Sequence, residues 1–252
     1  MSNNDTWRPQ WADIPAAIGL LSRIPVRVDE AWAKERGPQQ CWAFGLVGLV
    51  LGLISSIYAW IGLALDLNPL AVGILIVASV TFVSGAMHQD GLADTLDGFW
   101  GGWTRTQRLE IMKDSHIGAY GVLGLVIVVG LQAALYGQLI QKTILPIIGI
   151  MVMSRAVMVP VMAILPNARG SGLSSQIGRP KIGTAWLAMG LGSILAIVTG
   201  AWAAILGASI AAIIVALIAN QKIKGQTGDI LGATQQTAEL TSLLFVVALS
   251  QF

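Results

Sequence analysis

Long apolar runs separated by short polar stretches repeat along the chain. Residues 37–65, 67–89, 115–141 and 182–221 contain no Asp, Glu, Lys or Arg. Crossing a hydrocarbon core of roughly 30 Å takes about 20 apolar helical residues, so the last of these blocks, at forty residues, accommodates two passes. In order, the pattern predicts helices at 42–65, 69–87, 118–140, 143–165, 184–201, 203–220 and 232–252. The fourth holds Arg155 and Pro160, and the last is polar at Thr234, Gln235, Gln236 and Glu239. The expected count is therefore about seven, with six to eight allowed. The fold class expected is an all-α, polytopic transmembrane helical bundle forming one integral-membrane domain over 1–252. Residues 1–36 form a cytoplasmic or interfacial N-terminal segment and 88–117 a cytoplasmic acidic motif region. The apolar run 14–24 is flanked by Asp13 and interrupted by Arg23 with no small-residue cleavage site after it, which reads as an interfacial helix and not as a cleavable signal.

Composition sharpens this picture. Only 28 of 252 residues are charged, 11% against about 25% in ordinary globular chains, and 55% are hydrophobic before 29 glycines are added. A water-soluble globular fold and a disordered chain are both excluded, and the lipid bilayer becomes the main partner. One cysteine, Cys41, excludes an internal disulfide framework and a cysteine-rich metal centre. A net charge of +2 gives no reason to expect nucleic-acid binding. Thirteen of the fifteen basic residues fall in alternate loops if the N-terminus is inside, which places the N-terminus and every polar motif on the cytoplasmic side.

Candidate chemistry begins where the second span ends, at His88-Gln-Asp90-Gly-Leu-Ala-Asp94-Thr-Leu-Asp97-Gly98. At about 100° per residue, carboxylates spaced i, i+4, i+7 line one helical face. Three like charges at a membrane edge call for a compensating cation, and oxygen-only ligands favour Mg²⁺ or Mn²⁺. The plainer alternative is a solvated loop paired with Arg105, Arg108 and Lys113. His88 is a candidate base or supporting group beside Asp90. Residues 105–121 read as a short amphipathic helix entering the third span, with Glu110 and Asp114 on one face. Arg108 and Lys113 would clamp phosphate there, and Asp114 would add a metal ligand or base; the ordinary alternative is an interfacial helix with paired charges. Arg155, costly in lipid, is expected to face a polar cavity with a partner in the acidic cluster. Thr227-Gly228-Asp229 lies in a glycine-rich stretch running into a helix, a form suited to anions; the alternative makes Asp229 an N-cap and Glu239 a snorkelling charge. Carboxylates for Mg²⁺, bases for phosphate and a membrane scaffold fit phosphoryl-type transfer, where catalysis is positioning and charge neutralisation.

The stretches HQDGLADTLDGFWGG, RLEIMKDSHIGAYGV and GQTGDILGATQQTAE, with LLSRIPV near the N-terminus, resemble the cobalamin synthase, or adenosylcobinamide-GDP ribazoletransferase, family. The resemblance implies a multi-pass enzyme of the bacterial or archaeal cytoplasmic (inner) membrane. It would join adenosylcobinamide-GDP to alpha-ribazole or its 5'-phosphate, releasing GMP with Mg²⁺ as cofactor. It further implies that Asp90, Asp94 and Asp97, with Asp114, form the metal-binding and catalytic acidic motif together with His88. Arg105, Arg108, Lys113, Arg155, Thr227, Gly228 and Asp229 would serve substrate and phosphate. Homo-oligomerisation and association with other cobalamin-pathway enzymes are left open. The chemistry also resembles that of CDP-alcohol phosphotransferases, but Asp94 stands where that family's pattern has arginine, and His116 stands where arginine is expected in the cobalamin family. A cation- or proton-coupled transporter is the rival from another class; its need for access from both faces fits poorly with outer loops whose only charges are Asp66 and Lys142. An intramembrane prenyl-type transferase would need adjacent carboxylates, which the chain lacks.

Overall fold

A computed structural model describes residues 8–249; residues 1–7 of the expected N-terminal segment and 250–252 of the expected last span lie outside it. The described residues are almost entirely helical, with a single isolated bridge between Asn167 and Gln226 and no strand. Each of the seven predicted spans coincides with a helix. These are α3 (Phe44–Ala64), α4 (Pro69–Ser84), α7 (Ala119–Ile140), the consecutive α8 (Pro146–Ala156) and α9 (Met158–Ile164), α11 (Ile182–Val198), α12 (Trp202–Ile223) and α13 (Gly228–Leu249). By length and apolarity four helical stretches suffice to cross a membrane: 30–64, 119–140, 146–164 and 202–223. A fifth is added if α4 and the bent helix after it are taken together. Helix α11 is apolar but shorter, and α13 keeps the polar residues that weakened it in the sequence.

The stretch α8–α9 is the centre of the bundle, 83% of its apolar window being buried, against 39% for the other three crossing stretches. Pro160 has no N–H to give the Ala156 carbonyl, and the chain breaks helical form only at Val157 between the two pieces. Helices α3, α11 and α13 pack on α8, α4 packs on α3 and α7, and α12 packs on α13. The outer faces carry large exposed apolar side chains such as Ile57, Trp60, Val126, Ile127, Ile213 and Leu217. So extensive an apolar surface matches hydrocarbon as solvent.

Smaller helices gather at one end: α1 (Asp13–Leu21), α2 (Glu30–Arg36), α5 (Met87–Gly101), α6 (Arg105–Ile111) and α10 (Leu173–Ile177). Helix α1 covers most of the run 14–24 and is anchored by buried Asp13, which accepts from Arg36 Nε at 2.8 Å and Trp42 Nε1 at 2.7 Å. The predicted span 69–87 ends earlier, because Gly85 (φ 66°) and Ala86 (φ 58°) adopt left-handed backbone and turn α5 by 93° from α4. Helix α5 exposes Asp90, which calls for water and not lipid, so it lies across the end of the bundle outside the spans. Arg105 donates to the Ala168 and Ile223 carbonyls at 2.6 and 2.8 Å, and Arg108 to the Lys222 carbonyl at 3.1 Å. The loops holding the acidic, 166–170 and 222–229 segments therefore meet at this one end, as the charge pattern implied.

Candidate functional site

The site rests on a close crossing of α5 and α13. A Cβ added at Gly91 would stand 2.9 Å from the Asp229 Cα, and one at Gly232 would stand 3.1 Å from the His88 carbonyl oxygen. Only glycine lets the two backbones touch here, and their contact carries Asp90 and Asp94 of α5 to Asp229 at the start of α13. The amides leading into α13 are capped by Thr227, whose hydroxyl accepts from Ile230 N–H at 3.4 Å and donates to Asp229 Oδ2 at 3.1 Å. Asp229 is thus not the N-cap. It pairs instead with Arg169 at 2.9 Å, both side chains being largely buried. Arg169 is a site residue that the sequence reading counted only as loop charge. Its segment is held by parallel pairing, Ala168 N–H donating to the Gln226 carbonyl and Gln226 N–H to the Pro166 carbonyl, each at 2.8 Å.

Electrostatically the site has more carboxylate than cation. Burial, then Asp229 and Asp90, push the Asp94 pKa up to about 7, with Arg169 opposing. Burial also raises Asp229, against the pull of Arg169 and the Thr227 hydroxyl. Asp90 is exposed and Asp94 partly so, leaving both open to a ligand from solvent. Among the described residues no three His, Cys, Asp or Glu side chains are grouped so as to hold a metal ion by themselves.

The other expected site residues are placed differently. Asp97, on the same face of α5, is buried and accepts from Gly118 and Gly121 N–H at 2.7 and 2.9 Å. Its carboxylate caps the first turn of α7, where a negative group is favoured. The expected helix 105–121 ends at Ile111, because Met112 tucks beneath Gly98 and the chain turns. Asp114 therefore shares no helical face with Glu110. It is exposed and bound to His116, 2.8 Å away, a hydrogen bond that lowers its own pKa and raises that of the imidazole. Lys113 is exposed in the same turn, while Arg105 and Arg108 brace loop carbonyls. Gly228 is the first residue of α13. His88 is buried, and neither ring nitrogen has a partner.

Arg155 does not reach the acidic cluster. It pairs with Glu239 at 2.9 Å, both essentially fully buried, and Glu239 also accepts from Tyr136 Oη at 3.0 Å and Gln235 Nε2 at 2.7 Å. Glu239 is consequently no snorkelling charge. A lone acid and a lone base inside neighbouring spans satisfy each other because either alone in lipid is costly. That argument was available from the sequence and would have found the pair.

Residues 13–247 match the cobalamin-5-phosphate synthase family. Proteins called adenosylcobinamide-GDP ribazoletransferase in Brucella canis and Brucella suis are each 36% identical over 251 residues, covering 93% of this chain and 96% of theirs. One of the same name in Bradyrhizobium diazoefficiens is 35% identical over 250 residues, covering 97% of this chain and 96% of its own. No solved structure matches.

Proposed function

The chain belongs to the cobalamin-5-phosphate synthase family, and from that membership we propose that it is an adenosylcobinamide-GDP ribazoletransferase dependent on Mg²⁺. It joins adenosylcobinamide-GDP to alpha-ribazole or its 5'-phosphate and releases GMP. The ribazole hydroxyl attacks the cobinamide-side phosphorus and gives its proton to a spare carboxylate of the site, the phosphoanhydride bond breaks, and GMP leaves with the bonding electrons. The observation that carries this reading is the meeting of Asp90 and Asp94 with the Asp229–Arg169 pair at the α5–α13 crossing. The excess of carboxylate there fits a hard divalent ion, and Mg²⁺ is commonly held by one or two carboxylates plus substrate phosphates. Asp90 and Asp94 would hold it, and bound there it supplies charge neutralisation for the phosphates and the departing GMP. Asp97 supports the site by fixing α7 against α5. Arg169 keeps Asp229 in place and remains the cation closest to these carboxylates in electrostatic effect. Lys113 is left for the outer phosphate. The site faces the cytoplasm, where charged nucleotides are.

The test is GMP release by the purified protein in detergent or liposomes, given adenosylcobinamide-GDP and alpha-ribazole 5'-phosphate with and without Mg²⁺. Metal-dependent GMP in step with the cobalamin product is expected. Folded protein with verified substrates and no product would overturn the proposal.

A further inference from the structure

The segment 20–26, Leu-Leu-Ser-Arg-Ile-Pro-Val, carries part of the family resemblance yet takes no part in the acidic site. Beyond α1 the chain runs extended, with Arg23, Pro25 and Arg27 exposed and Ile24, Val26 and Val28 half-buried between them. Such a segment presents unpaired backbone groups to any partner that can meet them. Among the described residues, the N–H groups of Val26, Arg27 and Val28 donate to nothing.

This segment walls a cleft of about 880 Å³ together with α1, α2 and α10. That volume lies at the upper end of the roughly 300–1,000 Å³ typical of ligand pockets. The lining is mainly apolar, with Arg23 and Lys34 exposed along it. Leu20, Leu173 and Ile177 also line a second cavity of about 40 Å³, which His88, Gly228 and Gly232 line as well. Both nitrogens of buried His88 lack partners, an arrangement that native interiors rarely leave without a reason. The cleft and this small cavity thus share the Leu20, Leu173 and Ile177 wall, and the small cavity borders the α5–α13 crossing at His88, Gly228 and Gly232.

Resting on the transferase reading above, we infer that this cleft seats the corrinoid half of the larger substrate. A corrin ring is broad and largely apolar, and amide side arms edge it; the cleft offers an apolar wall that includes Val26 and Val28, whose backbone N–H groups have no acceptor of their own among the described residues. A ribazole nucleoside is much smaller than the cleft and has no comparable set of amide oxygens. His88 lies between the ring site and the phosphate site, with ring nitrogens free to hydrogen-bond the connecting arm.

The test uses Ala33→Trp, which fills the cleft from α2, and reads the two substrates separately. KM for adenosylcobinamide-GDP should rise by about tenfold or more, the scale on which a pocket discriminates by volume, with KM for alpha-ribazole unmoved. Equilibrium dialysis with adenosylcobinamide lacking the nucleotide, followed by its visible absorbance, should show the same loss. A rise in KM for alpha-ribazole instead, or no change in either, would overturn the assignment. If Ala33→Trp fails to fold, Ala33→Leu should shift the same KM less. If the wild type turns nothing over, the transferase reading fails, and dialysis still decides the cleft: weaker corrinoid binding by the variant supports it, equal binding overturns it.

Discussion

Asp94 stands among other carboxylates with one arginine to offset them, so its charged form needs a cation. Asp94→Asn keeps the volume and removes the charge; turnover should fall by about 10²-fold or more, the scale of lost charge stabilisation at a transferring phosphoryl group, while the protein still inserts and folds. Full activity at saturating Mg²⁺ would sink the metal assignment. The raised pKa also gives a pH signature. With its pKa about 7 against an ordinary value of about 3.9, the folded carboxyl binds more protons than the unfolded one between roughly pH 4 and 7. Its contribution therefore favours folding at low pH and is lost as pH rises through that window. Metal must displace that proton, so the Mg²⁺ concentration for half-activity should increase as pH falls from 8 to 6. A pH-independent Mg²⁺ requirement would mean that Asp94 is not a ligand. The buried pair Arg155–Glu239 makes a different prediction. Arg155→Met leaves an uncompensated acid and should cost about 3–5 kcal/mol; adding Glu239→Leu should restore most of it, read as thermal unfolding in detergent. Equal instability of the single and double variants would refute the pairing.

At the scale of elements, the proposed catalytic geometry depends on how closely α5 crosses α13. Gly91→Ala places a methyl 2.9 Å from the Asp229 backbone, and overpacking of this kind costs about 1–3 kcal/mol. Activity should drop more steeply than stability, because the displacement separates Asp229 from Asp94; a variant destabilised but fully active would show that this spacing does not matter. Helix existence was legible in the sequence because a charge-free block of about 20 residues has few alternatives in lipid. What escaped was where helices bend and which faces meet. The turn at Gly85-Ala86 puts a non-glycine residue in left-handed backbone, which no local residue preference announces. The i, i+4, i+7 spacing correctly set Asp90, Asp94 and Asp97 on one helical face, yet Asp97 is drawn away by two amides of α7 that follow it by more than twenty residues. Arg169 was missed for a similar reason: its role comes from the pairing of residues 166–168 with 226, which exists only in three dimensions.

At the scale of the whole molecule, the polar segments meet at one end of the bundle, and basic-residue asymmetry is the ground on which that end is proposed to face the cytoplasm. The opposite end is nearly bare of charge, with Asp66 and Lys142 in its loops. Nucleotide chemistry on the cytoplasmic side requires this orientation, so orientation and mechanism stand or fall together. The lone Cys41 is fully buried and should be silent to surface reagents, which makes the native chain its own background for mapping. Ser115 and Thr143 are both exposed, one in the turn before α7 and the other in the turn after it. In intact cells, a membrane-impermeant maleimide should label Thr143→Cys and not Ser115→Cys; once the membrane is opened, both should react. The converse pattern would put the carboxylates on the outer face, away from cytoplasmic nucleotides. Labelling of both in sealed cells would mean that α7 does not cross the bilayer, and the alternation of basic loops would lose its explanation.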